Sequence, residues 1–176
     1  DFLSQTSVLS EATVRRVDAV PGVADASPIT EGYAMLRLHG KRVLTLLVGS
    51  DMGRGGGPWA LATGQAPRAL GELAVDRVLA EDHGLRLGST LRFRGETLRV
   101  VGLTSGTSGF MTPLAFTTRA TANALNEQPE TATFLLVTPG RGLAAQAAAS
   151  AIERAVPGVS ARLSSEVARN DRALFV

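Results

Sequence analysis

The residues best equipped for chemistry fall in four places. Residues 53–58 read Gly-Arg-Gly-Gly-Gly-Pro, a glycine density that could wrap a phosphate in backbone N–H groups. A phosphate loop also needs Gly-Lys-Ser/Thr at the start of a helix. The chain's single Gly-Lys, Gly40-Lys41, is followed by Arg42 between two strand-like runs, so no nucleotide site is expected. Gly106-Thr107-Ser108-Gly109-Phe110 has the outline of a nucleophile elbow, but Phe110 stands where the last glycine belongs. A hydrolase would need a histidine and an acid to converge on Ser108, and the only histidines are His39 and His83. His83 follows Glu81 and Asp82 at a helix end, where a cation meets the terminal carbonyls favourably. Glu81, Asp82 and His83 are consecutive, so they fan out around the helix and cannot converge on one metal ion. No catalytic, cofactor or metal-binding residue is assigned.

A fifth stretch is apolar. Phe110-Met111-Thr112-Pro113-Leu114 follows a run of Gly, Ser and Thr, where large apolar side chains are hard to bury. One reading makes Phe110, Met111, Pro113 and Leu114 a cover over the core. The other makes them a lip for a lipid-like substrate or a partner protein.

These residues need a framework. The chain has 176 residues, 44% apolar and 19% charged, which describes a globular body. At that length it buries about 70% of its unfolded surface as one domain or two small subdomains. Basic and acidic residues number 18 and 16, with a single lysine, Lys41, so no nucleic-acid footprint is present. Cysteine is absent, which excludes disulfides and thiolate sites. No run reaches the length of a membrane span. The chain starts at Asp1 without a leader pattern and reads as an excised piece.

The tightest pattern covers residues 71–104. Glu72 to Val75 is extended, and Asp76 can cap a helix over 77–83 that turns Val78 and Leu79 inward. Gly84 terminates it, with Leu85 folding back. Leu91 and Phe93, then Leu98 and Val100, alternate with polar residues on two strands, joined by a type II′ turn at Gly95-Glu96. A second Gly-X hairpin is expected at Gly40-Lys41, between runs 34–39 and 43–48. Residues 8–20 read as a helix capped by Ser10, with Leu9, Thr13, Val17 and Val20 on one face. Residues 49–59 form a loop from which Trp59 and Leu61 re-anchor the chain. Thr117 or Thr118 caps a helix to Leu125, 133–137 form a strand, and 165–172 form a last helix. The pentapeptide Ala-Val-Pro-Gly-Val occurs at 19–23 and 155–159, the second copy after a helical stripe of Ala145, Ala148, Ala149, Ile152 and Ala155. Two helix–turn–strand units on one sheet are the reading of that repeat; coincidence is its alternative.

The order Leu79-Ala80, Gly84-Leu85, Leu87-Gly88, a strand, a glycine turn, then Val100-Val101-Gly102-Leu103 resembles the extracytoplasmic core domain of MacB/FtsX-like ABC-transporter permeases. Val48-Gly49-Ser50-Asp51 resembles a family strand that precedes a variable loop, and Leu61-Ala62-Thr63-Gly64 a family turn after it, while Ser89 stands where the family often has an acid. The resemblance implies an α+β fold, a two-layer helix-on-sheet body over 1–58 and 105–176. A small β-rich subdomain would be inserted at 59–104. It implies membrane helices flanking the chain, with 1–3 and 173–176 as cut ends. The domain would sit on the extracytoplasmic face, periplasmic or extracellular. It implies a non-catalytic domain that transmits ATP-driven motion from an ATP-binding subunit to a lipid, lipoprotein or peptide cargo, or to an external partner protein. The alternatives are a secreted α+β interaction module, or a soluble hydrolase using Ser108 or Glu81 and Asp82.

Overall fold

A computed structural model describes residues 8–107, 112–128 and 130–165. In chain order the elements are β1 (Leu9–Ser10), α1 (Glu11–Asp18), β2 (Val23–Leu38), β3 (Lys41–Ser50), β4 (Leu61–Gly64), β5 (Glu72–Asp76) and α2 (Arg77–Asp82). They continue with β6 (Thr90–Phe93), β7 (Glu96–Thr104), β8 (Leu114–Thr118), α3 (Arg119–Asn126), β9 (Thr131–Ala132), β10 (Phe134–Pro139) and α4 (Ala145–Ala155). The fold is α+β, as expected from the sequence. It resolves into two compact units, one of Asp1–Leu9 with Ser27–Leu135, the other of Ser10–Ala26 with Leu136–Val176.

In the first unit β2 pairs antiparallel with β3, β3 parallel with β8, β8 antiparallel with β5, and β5 parallel with β7. β4 and β6 both pair antiparallel with β7. Residues 59–104 therefore lie wholly inside this unit, and their strands β5 and β7 continue the sheet of β3 and β8 through the pairing Ala74↔Phe116. One face of the sheet carries the main core, with Ala34, Leu36, Leu38, Leu47, Leu73, Val75, Leu98 and Val100 packed on Leu79, Ala80, Ala122 and Leu125 of α2 and α3. The opposite face holds a smaller cluster of Ile29, Val48, Ala74 and Phe116.

Both hairpins form, but each turn lies one residue earlier than its Gly-X pattern predicts. Leu38 faces Lys41 and Phe93 faces Glu96, so the loops are His39-Gly40 and Arg94-Gly95. Both central residues have positive φ, 46° and 81° in the first loop and 49° and 85° in the second. That is a type I′ turn, whose twist matches the strands and whose glycine sits second. The helix ends follow the sequence more closely. Ser10 accepts from Thr13 N, Asp76 from Val78 N and Thr118 from Thr121 N. Leu85 N donates to Ala80 O at 2.8 Å across Gly84, closing α2. Helix α1 starts at Glu11, so Leu9 falls outside it and Val14 joins Val17 as a buried position. Val78 points outward, 53% exposed, while Ala80 takes its inward place beside Leu79.

The second unit contains both copies of the pentapeptide. In each, the second valine N–H donates back to the carbonyl of the first, Val23 to Val20 at 3.0 Å and Val159 to Val156 at 3.2 Å. Proline sits first in each turn, and glycine second with φ of 95° or 87°, which is type II geometry. The leading valines are buried, as are Val14, Val17, Ala148, Ala149 and Ile152. A strand follows only the first copy: 159–163 carry none. The helix expected over 165–172 lies, beyond Ser165, outside the described residues.

Candidate contact surface

Most polar side chains singled out in the sequence are spent on structure. Asp76, 1% exposed, caps α2 and also accepts from Thr107 N at 3.0 Å and Thr107 Oγ1 at 2.8 Å, while Thr107 Oγ1 meets Thr104 Oγ1. This ties the end of β7 to the start of α2. Asp51, directly after the end of β3, pairs with Arg119 Nε at 3.0 Å at the first turn of α3. Gly49 just before it lies so close to that helix that a Cβ would stand 2.5 Å from Ala122 Cβ. Thr30 Oγ1 donates to Asn123 Oδ1 at 2.6 Å, and Asn123 Nδ2 donates to Thr131 O at 3.1 Å. In the glycine-rich loop, Gly55 N donates to Ser27 Oγ at 2.8 Å.

His39 and His83 come together, the His39 ring at 2.5 Å from the His83 carbonyl oxygen. That contact joins the β2–β3 turn to the end of α2. Ser108 of the elbow pattern lies outside the described residues, and Thr107 beside it is committed to Asp76. Among the described residues no three His, Cys, Asp or Glu side chains gather as metal ligands. Two carboxyls depart from ordinary behaviour. Burial raises the Glu31 pKa. The Arg68 and Ala69 amides, donating to Glu72 Oε2 at 2.8 and 3.1 Å, hold that carboxyl below the usual range.

The apolar stretch of the sequence is placed in part. Phe110 and Met111 lie outside the described residues. Pro113 O accepts from Leu46 N at 2.9 Å, seating the chain for β8 beside β3. Leu114 then packs with Leu46 and Phe134 against the Ile29, Val48, Ala74 and Phe116 cluster. Pro113 and Leu114 are half-buried there.

Around Leu114 the structure assembles more than the sequence foretold. Tyr33 on β2, Leu46 on β3 and Leu114 on β8 stand in register across three strands. The next rung is Met35 opposite Leu44, and the one after it Arg37 opposite Arg42. Tyr33, Met35 and Leu44 are 65%, 44% and 45% exposed. Alternation puts this ladder on the face opposite the buried Ala34, Leu36 and Leu38. Trp59 leans edge-on against Phe116, ring centroids 4.8 Å apart, while remaining 65% exposed. The strands here are apolar on both phases, so periodicity alone could not separate the exposed set from the buried one.

Several solved structures share this fold. One is the periplasmic region of MacB from Actinobacillus actinomycetemcomitans, with TM-score 0.66 and 14% identity over 83% of this chain and 72% of that one. The extracellular domain of the noncanonic ABC-type transporter YknZ from Gram-positive bacteria gives 0.68 and 12%, covering 85% and 82%. A domain of a putative permease protein from Porphyromonas gingivalis gives 0.57 and 18%, covering 93% and 75%. No curated protein matches in sequence. The architecture is thus that of the α+β domains which transporter permeases carry outside the membrane. The profile of MacB-like periplasmic core domains matches residues 3–155, and the chain belongs to that family. It is an extracytoplasmic domain of an ABC-transporter permease, and among the described residues no helix is long and apolar enough to cross a membrane.

Proposed function

We propose that this domain does no covalent chemistry and serves as a stiff extension of its permease, carrying motion driven by an ATP-binding subunit to a cargo or partner protein outside the membrane. The family match over residues 3–155 carries this reading. Stiffness is supported by the way charged and polar side chains are used. Asp76 joins β7 to α2, Asp51 joins the end of β3 to α3, and Asn123 joins β2 to the segment after α3. Cross-links of this kind let a displacement at one edge of the sheet reach the other, because packed interiors deform little. The half-buried Pro113 and Leu114, with Phe110 and Met111 before them, belong in this proposal to the contact region.

The test uses the full-length permease with its ATP-binding subunit in lipid nanodiscs. Replacing residues 10–165 by a short flexible linker leaves ATP hydrolysis running and abolishes cargo or partner movement. Loss of ATP hydrolysis itself, or a hydrolytic activity in the isolated chain, would contradict the proposal.

A further inference from the structure

Among the described residues, no strand lies outside the second half of β2, which is an edge. The first half neighbours β10, where Thr133 N donates to Ile29 O at 2.7 Å and Gly140 N to Gly22 O at 2.8 Å. Those two bonds place β10 alongside residues 22–29, leaving 32–38 beyond its reach. At the junction, Glu31 N donates to Thr133 Oγ1 at 2.9 Å and Glu31 O accepts from the same hydroxyl, so the main-chain groups of Glu31 point away from β3. In an antiparallel strand that direction recurs every second residue. Tyr33, Met35 and Arg37 therefore aim their N–H and C=O groups at the open edge. An edge of this kind is a template for another strand.

The side chains along the edge are unbalanced in charge. Arg37 and Arg42 stand directly opposite each other, Lys41 follows at the turn, and His39 there is engaged with the His83 carbonyl. All four are exposed, and among the described residues neither Arg37, Arg42 nor Lys41 has an ion-pair partner. Like charges facing one another across a ladder oppose folding. The nearest carboxylate on the same face of β2 is Glu31, six residues up the strand. Cations therefore occupy the tip and apolar rungs lie behind them. A membrane-inserting wedge would carry the reverse order, apolar at the tip and basic behind.

We infer that the edge 32–38 of β2 receives an extended segment of a partner protein by strand addition, antiparallel to β2. Its acidic residues lie beside Arg37, with Arg42 behind it on the same face, and its apolar residues beside Met35 and Tyr33. Main-chain hydrogen bonds supply affinity and the alternating side chains supply selectivity. The inference gives a chemistry to the partner in the proposed function, but its test needs only the 176-residue chain. A failure here leaves coupling to ATP untouched.

The probe is a fluorescein-labelled peptide Asp-Asp-Val-Thr-Val-Thr-Val, with a Lys-Lys counterpart, titrated by fluorescence anisotropy and by amide NMR. The acidic peptide binds, and the Tyr33, Met35 and Arg37 amides become protected from exchange. In R37E the cross-strand repulsion becomes an attraction, so the variant folds, and its affinity for the acidic peptide drops at least about tenfold, a change of roughly 1.4 kcal/mol. R37E/R42E prefers the Lys-Lys peptide. Equal binding of both peptides to wild type, or protection elsewhere, overturns the inference. So does sedimentation with phosphatidylglycerol vesicles that R37E/R42E abolishes while the peptide does not bind, which would make the occupant a membrane. Concentration-dependent dimers lost in R37E, without peptide binding, would make it a second copy of this chain.

Discussion

At the residue scale, buried polar groups decide stability. Asp76 holds the first turn of α2 and the Thr107 backbone together from a site 1% exposed. Asp76→Ala loses a helix cap, worth about 1 kcal/mol, and strands buried donors at about 1–3 kcal/mol. Urea denaturation should show a loss of about 2–4 kcal/mol, partly restored by Asp76→Asn. Thr45 is the reverse case: its Oγ1 is buried with no partner among the described residues. Thr45→Val keeps shape and branching and should raise stability by about 1 kcal/mol. Asp76 as a cap was legible, because acid, short helical run and Gly84 stand at fixed offsets. Its second role was not, because Thr107 lies 31 residues away and only the fold brings it near.

The two shifted carboxyls give opposite pH signatures. Glu31 has a raised pKa, so the folded state is penalised above that pKa, and the penalty vanishes as pH falls to the ordinary glutamate range. Glu31→Gln should therefore raise the melting temperature at neutral pH and leave it unchanged in acid. Glu72 has a lowered pKa, so its stabilisation is present above the ordinary value and lost as pH falls through the folded one. Glu72→Gln should lower the melting temperature at neutral pH only. A thermal scan of both variants against wild type from pH 3 to 8, within the carboxylate window, checks both signs.

At the scale of elements, turn chemistry and close packing govern what the sequence could reveal. Hairpins were visible from alternation and glycine, yet the turns fell one residue earlier because His39 and Arg94 accept positive φ ahead of Gly40 and Gly95. The family glycines acquire a physical reason in the structure. Gly49 lies against α3, and Gly64 faces Gly102 where β4 meets β7. Gly49→Ala drives a methyl into Ala122 and the Arg119 backbone, and should cost about 1–3 kcal/mol by denaturant melts. Residues 59–104 as an inserted module is a proposal about cooperativity, and native-state hydrogen exchange separates the outcomes. Since β5 bonds to β8 through Leu73, Ala74 and Val75, the amides of those strands should open together. Earlier opening of all of 59–104 would give the segment an independent identity.

At the scale of the molecule, composition and pattern spoke to fold class more clearly than to the division of the chain. The α+β class and the family followed from spacing over residues 71–104 with the strand-like 48–51 and the turn-like 61–64. The compact units divide within β1, β2 and β10; in β2 the division falls beside Ser27-Pro28, but the strand runs on through it, so the sequence alone does not separate a division from a local irregularity. The exposed ladder of Tyr33, Met35 and Leu44 was hidden for a related reason: both phases of β2 and β3 are apolar, so only the partner strands reveal which one faces solvent.

The central claim, that this domain conveys motion and performs no reaction, is tested most directly by distances in the working transporter. The chain has no cysteine, so spin labels at R92C and Q128C report within the first unit. A third label in a permease membrane helix reports movement relative to the bilayer. The account predicts that the R92C–Q128C distance distribution stays the same between nucleotide-free and ATP-trapped states while the distance from either label to the membrane helix shifts. Unchanged distances to the membrane helix across both states would contradict it.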